Sequence, residues 1–169
     1  MFKKLSHILC LVSIFNVSLA LESSVPLQVW VNEAIINTYT FNDTNLIDRQ
    51  KDMSQYFTAE AWKVYLDTLN RSNIITQVKE NHFQVSAVAT LPPKITTQPN
   101  ANTWKASMPV LVQYQGKGNT LKQNLEINLV IVKNDSATSR GYAILQYEAK
   151  IIDKPCNCAQ AYYPKVTIV

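Results

Sequence analysis

Polar and apolar positions along this chain repeat with one period in its first half and another in its second. Leu27, Trp30, Val31, Ala34, Ile35 and Thr38 recur at i, i+3, i+4 and i+7. That spacing predicts a helix of about three turns with one apolar face, and Pro26 suits its first turn. Asn42-Asp-Thr-Asn45 is a polar break made of turn-forming and capping residues. Leu46, Gln50, Met53 and Phe57 predict a second, shorter helix. Thr58 is placed to cap a third, with Glu60 in its first turn and Trp62, Tyr65, Leu66 and Leu69 as its apolar stripe. Asn70-Arg-Ser-Asn73 ends that helix, and Ile74 to Glu80 adds one more turn.

From Phe83 the period becomes two. Phe83, Val85, Ala87, Ala89 and Leu91 alternate with Gln84, Ser86, Val88 and Thr90, a strand that Pro92-Pro93 stops or bends. A polar loop is expected up to about Asn102. Trp104, Ala106, Met108, Val110, Val112 and Tyr114 share a face of a second strand, and Gly116-Lys-Gly-Asn119 reads as a hairpin turn. Leu121, Gln123, Leu125, Ile127, Leu129 and Ile131 mark a third strand, and Asn134 to Ser139 a second turn. Ala143, Leu145, Tyr147, Ala149 and Ile151 mark a fourth. Pro109 interrupts the second strand, which points to an edge or bulge position there.

Helices followed by a run of strands define an α+β protein with its helices on one face of an antiparallel sheet. Strands of about 9–14 residues exceed the usual five or six. Joined by short turns, they twist and curve the sheet. Helices in the concavity of a curved four-stranded sheet make a cone-shaped domain.

The ends of the chain change the picture of where this domain works. Met1-Phe-Lys-Lys4 is a positive segment, an apolar run follows to Leu19, and Ser18-Leu-Ala20 offers small residues for cleavage. This order predicts a signal peptide over residues 1–20, a domain over 21–155 and a C-terminal tail over 156–169. The competing reading is an uncleaved N-terminal anchor. The run is shorter than the roughly 20 apolar residues a spanning helix needs. The formal charge of +4 falls to about +2 once Lys3 and Lys4 are removed, which leaves no electrostatic footprint for nucleic acid. Of three cysteines, Cys156 and Cys158 remain after cleavage. A bond between them would close a tiny strained ring. They can also pair with another chain or stay reduced.

Candidate chemistry is sparse. His82 is the one histidine after cleavage, and nucleophilic catalysis needs a base, a nucleophile and an orienting group together. Its ordinary reading is a boundary residue between helix and strand. His82 with Cys156 and Cys158 would supply three possible zinc or copper ligands, but Cys-x-Cys lacks the usual loop spacing of a zinc site. Glu33, Asp48, Asp52 and Glu60 fall on helices, and Glu126 and Glu148 on polar strand faces. Glu148 or Asp67 buried beside His82 is the arrangement an enzyme would require. With only Gly116, Gly118 and Gly141, no glycine-rich phosphate loop exists. No catalytic residue, cofactor or metal is therefore assigned. Asn42, Asn70 and Asn134 sit in Asn-x-Ser/Thr sequences, which matter only in a glycosylating pathway. Trp30, Trp62 and Trp104 lie on apolar faces and suit the core. Tyr56, Tyr65, Tyr114 and Tyr142 are candidates for the rim of a cleft or interface.

Several stretches resemble one family in order. Val31-Asn-Glu-Ala-Ile35 with Tyr39-Thr-Phe-Asn42 is similar to the first periplasmic helix of the DotI/IcmL proteins of type IVB secretion systems. Tyr56-Phe-Thr58 with Trp62, then Leu69 and Ser72, resembles that family's helical signature. Val85-Ser-Ala-Val88 with Pro92-Pro93 is similar to its first strand and exit, and Trp104-Lys-Ala106 with Met108-Pro-Val-Leu-Val112 and Tyr114 to its tryptophan–Met-Pro strand. Gln123-Asn-Leu125, Leu129-Val-Ile-Val132, Arg140-Gly141 and Gln146-Tyr147 continue the series. The likeness covers about residues 27–150. It implies the nuclear-transport-factor-two cone seen in periplasmic domains of type IV assembly factors. It also implies a noncatalytic role through protein partners, either secretion-system components or further copies of the chain. Family members usually carry a spanning helix, so a signal peptide here implies a soluble periplasmic relative. The alternative is a periplasmic small-molecule-binding module on the same cone.

Overall fold

A computed structural model describes residues 25–97, 102–135 and 140–153. The expected signal peptide and the Cys156-Asn-Cys158 tail lie outside the described residues. Four helices come first: α1 (Val25–Thr38), α2 (Leu46–Ser54), α3 (Ala59–Arg71) and α4 (Ile74–Asn81). Five strands follow: β1 (Gln84–Ala89), β2 (Lys94–Thr97), β3 (Thr103–Gln115), β4 (Thr120–Lys133) and β5 (Tyr142–Ile151). They form one antiparallel sheet in the order β1-β3-β4-β5, with β2 also on β3.

The α1 stripe behaves as its spacing demands. Leu27, Trp30, Val31, Ala34, Ile35 and Thr38 are all buried, and the Thr38 hydroxyl donates to the Ile35 carbonyl at 2.6 Å. Phe41, just beyond, exchanges backbone bonds with Val85 and so ties the helical half to β1. Thr58 caps α3 by accepting from the Ala61 N–H at 3.3 Å. Asn73 takes a left-handed conformation (φ 56°), which asparagine tolerates better than most residues. This lets α4 restart almost at once and makes the expected extra turn an eight-residue helix.

The strands differ from expectation in three places, each with a local cause. Residues expected as loop form β2, paired with Trp104–Ser107 of β3. The sheet is thus four strands wide, its first position filled by β1 and β2 in succession around Pro92-Pro93. β3 is interior, not an edge. The Pro109 carbonyl accepts from the Thr90 N–H at 3.0 Å and the Thr90 hydroxyl at 3.1 Å. In an antiparallel ladder a residue's N and C=O face the same edge. The missing Pro109 donor therefore falls where β1 has ended and β2 has not begun, and no ladder bond is lost.

The third difference is a bulge in β5. Ile131 pairs with Ile144 but Val130 with Gln146, leaving Leu145 as the extra residue. Ile144 is fully buried and Leu145 is 42% exposed, the reverse of the expected face. The cause lies in the segment between α2 and α3. The Ile144 N–H donates to the Tyr56 carbonyl at 2.7 Å, and its carbonyl accepts from Thr58 at 2.9 Å. Turning those groups outward breaks the alternation at that point.

Candidate functional site

The concave face of the sheet is filled at one end and open at the other. At the filled end Trp30 packs on Tyr56 and Tyr142, with ring centroids 6.0 and 5.6 Å apart, and Trp104 meets Tyr142 edge-on at 5.5 Å. Trp30 is buried, whereas Trp62 and Trp104 are half-buried against the same core. A polar clasp closes the outside. The Tyr56 hydroxyl donates to Glu33 at 2.8 Å and accepts from the Asn37 amide at 3.1 Å. Arg140 pairs with the other Glu33 oxygen. Partial burial pushes the Glu33 carboxyl up, but the bonds from Tyr56 and Arg140 outweigh it and hold the group below the ordinary carboxylate range.

The open end is a cleft of about 740 Å³ between α3, α4 and the sheet. Its walls carry Leu69 of α3, Ile74 of α4, Phe83, and Leu121 and Leu125 of β4. Its floor is made of tyrosines. Tyr147 donates to Tyr39 at 2.9 Å, and Tyr65 donates to the Thr38 carbonyl at 3.2 Å. Tyr114 completes the set against Phe83 at 6.1 Å. Tyr65 is also held by Tyr147 and Trp62, at 5.2 and 5.4 Å. The phenols of Tyr39, Tyr65 and Tyr147 are bonded to one another or to the backbone, so the floor presents apolar ring surface, while Thr68, Gln77, Lys122 and Glu148 add polar groups to the walls and mouth. The floor suits an apolar chain or ring with little hydrogen-bonding demand.

Of the four rim tyrosines expected from sequence, the structure brings Tyr65 and Tyr114 into the cleft and sends Tyr56 and Tyr142 to the filled end. Tyr39 and Tyr147 take their places. Tyr147 was legible as a member of the β5 face, but nothing in the spacing of Tyr39 set it beside Tyr147. His82 is not in the cleft: its Nδ1 lies 2.5 Å from Asp43 on the surface. That bond holds the Asp43 carboxyl below its ordinary range. Glu148 lies exposed at the cleft mouth, while Asp67 is exposed and pairs with Arg71, so neither is buried beside His82. Glu126 lies on the outer face and accepts from Ser107 at 2.7 Å. Among the described residues no cluster of three or more His, Cys, Asp or Glu is placed to hold a metal.

The floor makes a testable electrostatic statement. Burial pushes the Tyr39, Tyr65 and Tyr147 phenols well above the ordinary value of 10.0. A raised acid contributes stability that is complete below its unfolded pKa and is lost as pH rises above it. In an alkaline titration followed by tyrosinate absorbance, these three should stay protonated past pH 10 and ionise only in the transition that abolishes the folded circular-dichroism signal. Smooth ionisation of every tyrosine ahead of unfolding would mean that the floor is open to water.

Helices gathered on a curved antiparallel sheet with one open end are the cone architecture of periplasmic domains in type IV secretion systems. The comparisons agree. The family model for the type IVB secretion system inner-membrane complex component, DotI/IcmL, matches residues 11–151. An IcmL-like type IV secretion system protein from Legionella pneumophila is 38% identical, with a TM-score of 0.75 over 79% of this chain and 96% of that one. The periplasmic domain of DotI is 34% identical, with a TM-score of 0.71 over 76% of this chain and 95% of that one. CagV, a VirB8 homologue from Helicobacter pylori, shares the fold at 7% identity, with a TM-score of 0.63 over 76% and 98% of the two chains. No curated protein sequence matches the chain. The chain belongs to the DotI/IcmL family of type IVB secretion components. Among the described residues no helix is long and apolar enough to cross a membrane.

Proposed function

We propose that this chain is a noncatalytic periplasmic protein. Its DotI/IcmL-type domain acts by binding other proteins, either components of a type IVB secretion apparatus or further copies of itself. The observation that carries this reading is the likeness to the periplasmic domain of DotI along nearly the whole described domain. The exposed surroundings of His82, Asp67 and Glu148 support a role through surfaces instead of bond-making. The charged, apolar and small-residue order of residues 1–20 supports export with cleavage after Ala20.

Cell fractionation with N-terminal sequencing tests the exported form. The expected result is a periplasmic chain beginning at Leu21; a membrane-bound chain beginning at Met1 would contradict it. Deleting the gene should reduce transfer of a secreted reporter, and restoring the exported chain should recover it. The tyrosine-floored cleft favours a second reading, a periplasmic small-molecule-binding module. Native mass spectrometry of the protein purified from periplasm separates the two, because only the second predicts a retained small molecule.

A further inference from the structure

The cleft opens where the chain itself leaves the domain. Ile151, the last residue of β5, lines the mouth and is 72% exposed, and Leu121, also at the mouth, is 51% exposed. These side chains extend the apolar surface of the cleft out onto its lip. A small ligand seated on the floor would leave them in water, whereas a covering stretch of polypeptide would not. Among the described residues, the β4 backbone beyond Asn124 has no strand paired on the β5 side. β5 pairs with Leu125–Lys133, and the Ile152 N–H reaches the Asn124 carbonyl at 3.0 Å. Residues Leu121–Gln123 of β4 run on past that pairing, and the chain departs beside them.

Residues 154–169 follow Asp153 and include Tyr162, Tyr163 and Val166-Thr-Ile-Val169. We infer that this segment of the same chain is the occupant of the cleft. Its aromatic and aliphatic residues cover the tyrosine floor and the exposed Leu121 and Ile151. Reach is ample. At about 3.4 Å per extended residue, Tyr162 can lie about 30 Å from Asp153, against a radius of gyration of about 14 Å for a domain of this size. The inference stands on the cleft and the course of the chain, and does not depend on which partner the domain binds.

The test uses the full exported chain carrying Leu121→p-benzoylphenylalanine, a substitution at an exposed position. Irradiation of a mixture of isotope-labelled and unlabelled chains, followed by mass spectrometry, identifies what covers the mouth. The expected adducts join position 121 to residues 160–169 within one isotope class. Ile168→Asp should lower their yield severalfold and raise the fluorescence of added anilinonaphthalene sulfonate severalfold, as the cleft becomes free for the dye. Adducts between isotope classes would make the occupant a second copy, and adducts to a co-purified small molecule would make it a ligand; either overturns the inference. So would an unchanged adduct pattern and dye signal in Ile168→Asp. The same measurement with Ile151→p-benzoylphenylalanine guards against a defect peculiar to the first position.

Discussion

Replacing Ile144 with alanine should lower the unfolding free energy by about 2–5 kcal/mol, while Leu145→Ala should change it by less than about 1 kcal/mol. Both are aliphatic residues of one strand, and simple alternation through Leu145 points to the opposite ranking. The difference comes from the bulge. Ile144 is fully buried and gives both backbone groups to Tyr56 and Thr58, whereas Leu145 is 42% exposed. Urea midpoints at constant slope would report the two costs directly. A larger loss at Leu145 than at Ile144 would mean that the alternation runs through the strand unbroken.

Trp30→Ala should cost about 3–5 kcal/mol, the range for emptying a large aromatic site in a core. The ring is 3% exposed and packs on both Tyr56 and Tyr142, so its loss opens the filled end of the cone between α1 and β5. For a domain whose total stability is about 5–15 kcal/mol, this lowers the melting temperature by about 10–20 °C. Calorimetry of wild type and variant checks it. Trp62→Ala is the comparison: that ring is half-buried and should cost less. Equal losses would show that α1 is not the principal support of that end.

Much of this fold is legible in the residues because its parts are local. The α1 stripe, the Thr58 cap and the alternation of β3 and β4 all rest on spacing within one element, and each recurs in the structure. What the sequence conceals depends on contacts between distant segments. The β5 bulge is set by Tyr56 and Thr58, far from Ile144 in the chain. The position of Pro109 is harmless only because the partner strand is broken opposite it. β2 is short and mostly polar, so it carries no alternation to read. The cleft shows the same division. Tyr65 could be placed on an apolar helix face, but its meeting with Tyr39 and Tyr147 is a product of how α3 crosses the sheet. His82, Asp48, Asp52, Glu60 and Glu148, in contrast, lie exposed as their positions at element ends and polar faces imply, whereas Glu33, expected on a solvated helix face, is half-buried in the clasp with Tyr56 and Arg140.

Membership in the DotI/IcmL family places these features in a type IVB secretion component. The filled end, clasped by Glu33, Tyr56 and Arg140, holds the helices to the sheet. The open end holds the tyrosine floor, with Leu121 and Ile151 exposed at its lip. The claim that this chain works by protein association is tested most directly by crosslinking in living cells, followed by purification of the exported chain and mass spectrometry of what it retains. The account predicts that components of the type IVB apparatus, or further copies of the chain, are recovered reproducibly and are lost from cells lacking the apparatus genes or carrying a chain confined to the cytoplasm. Recovery of the chain alone from cells with an assembled, active apparatus, together with normal secretion when the gene is deleted, would contradict it.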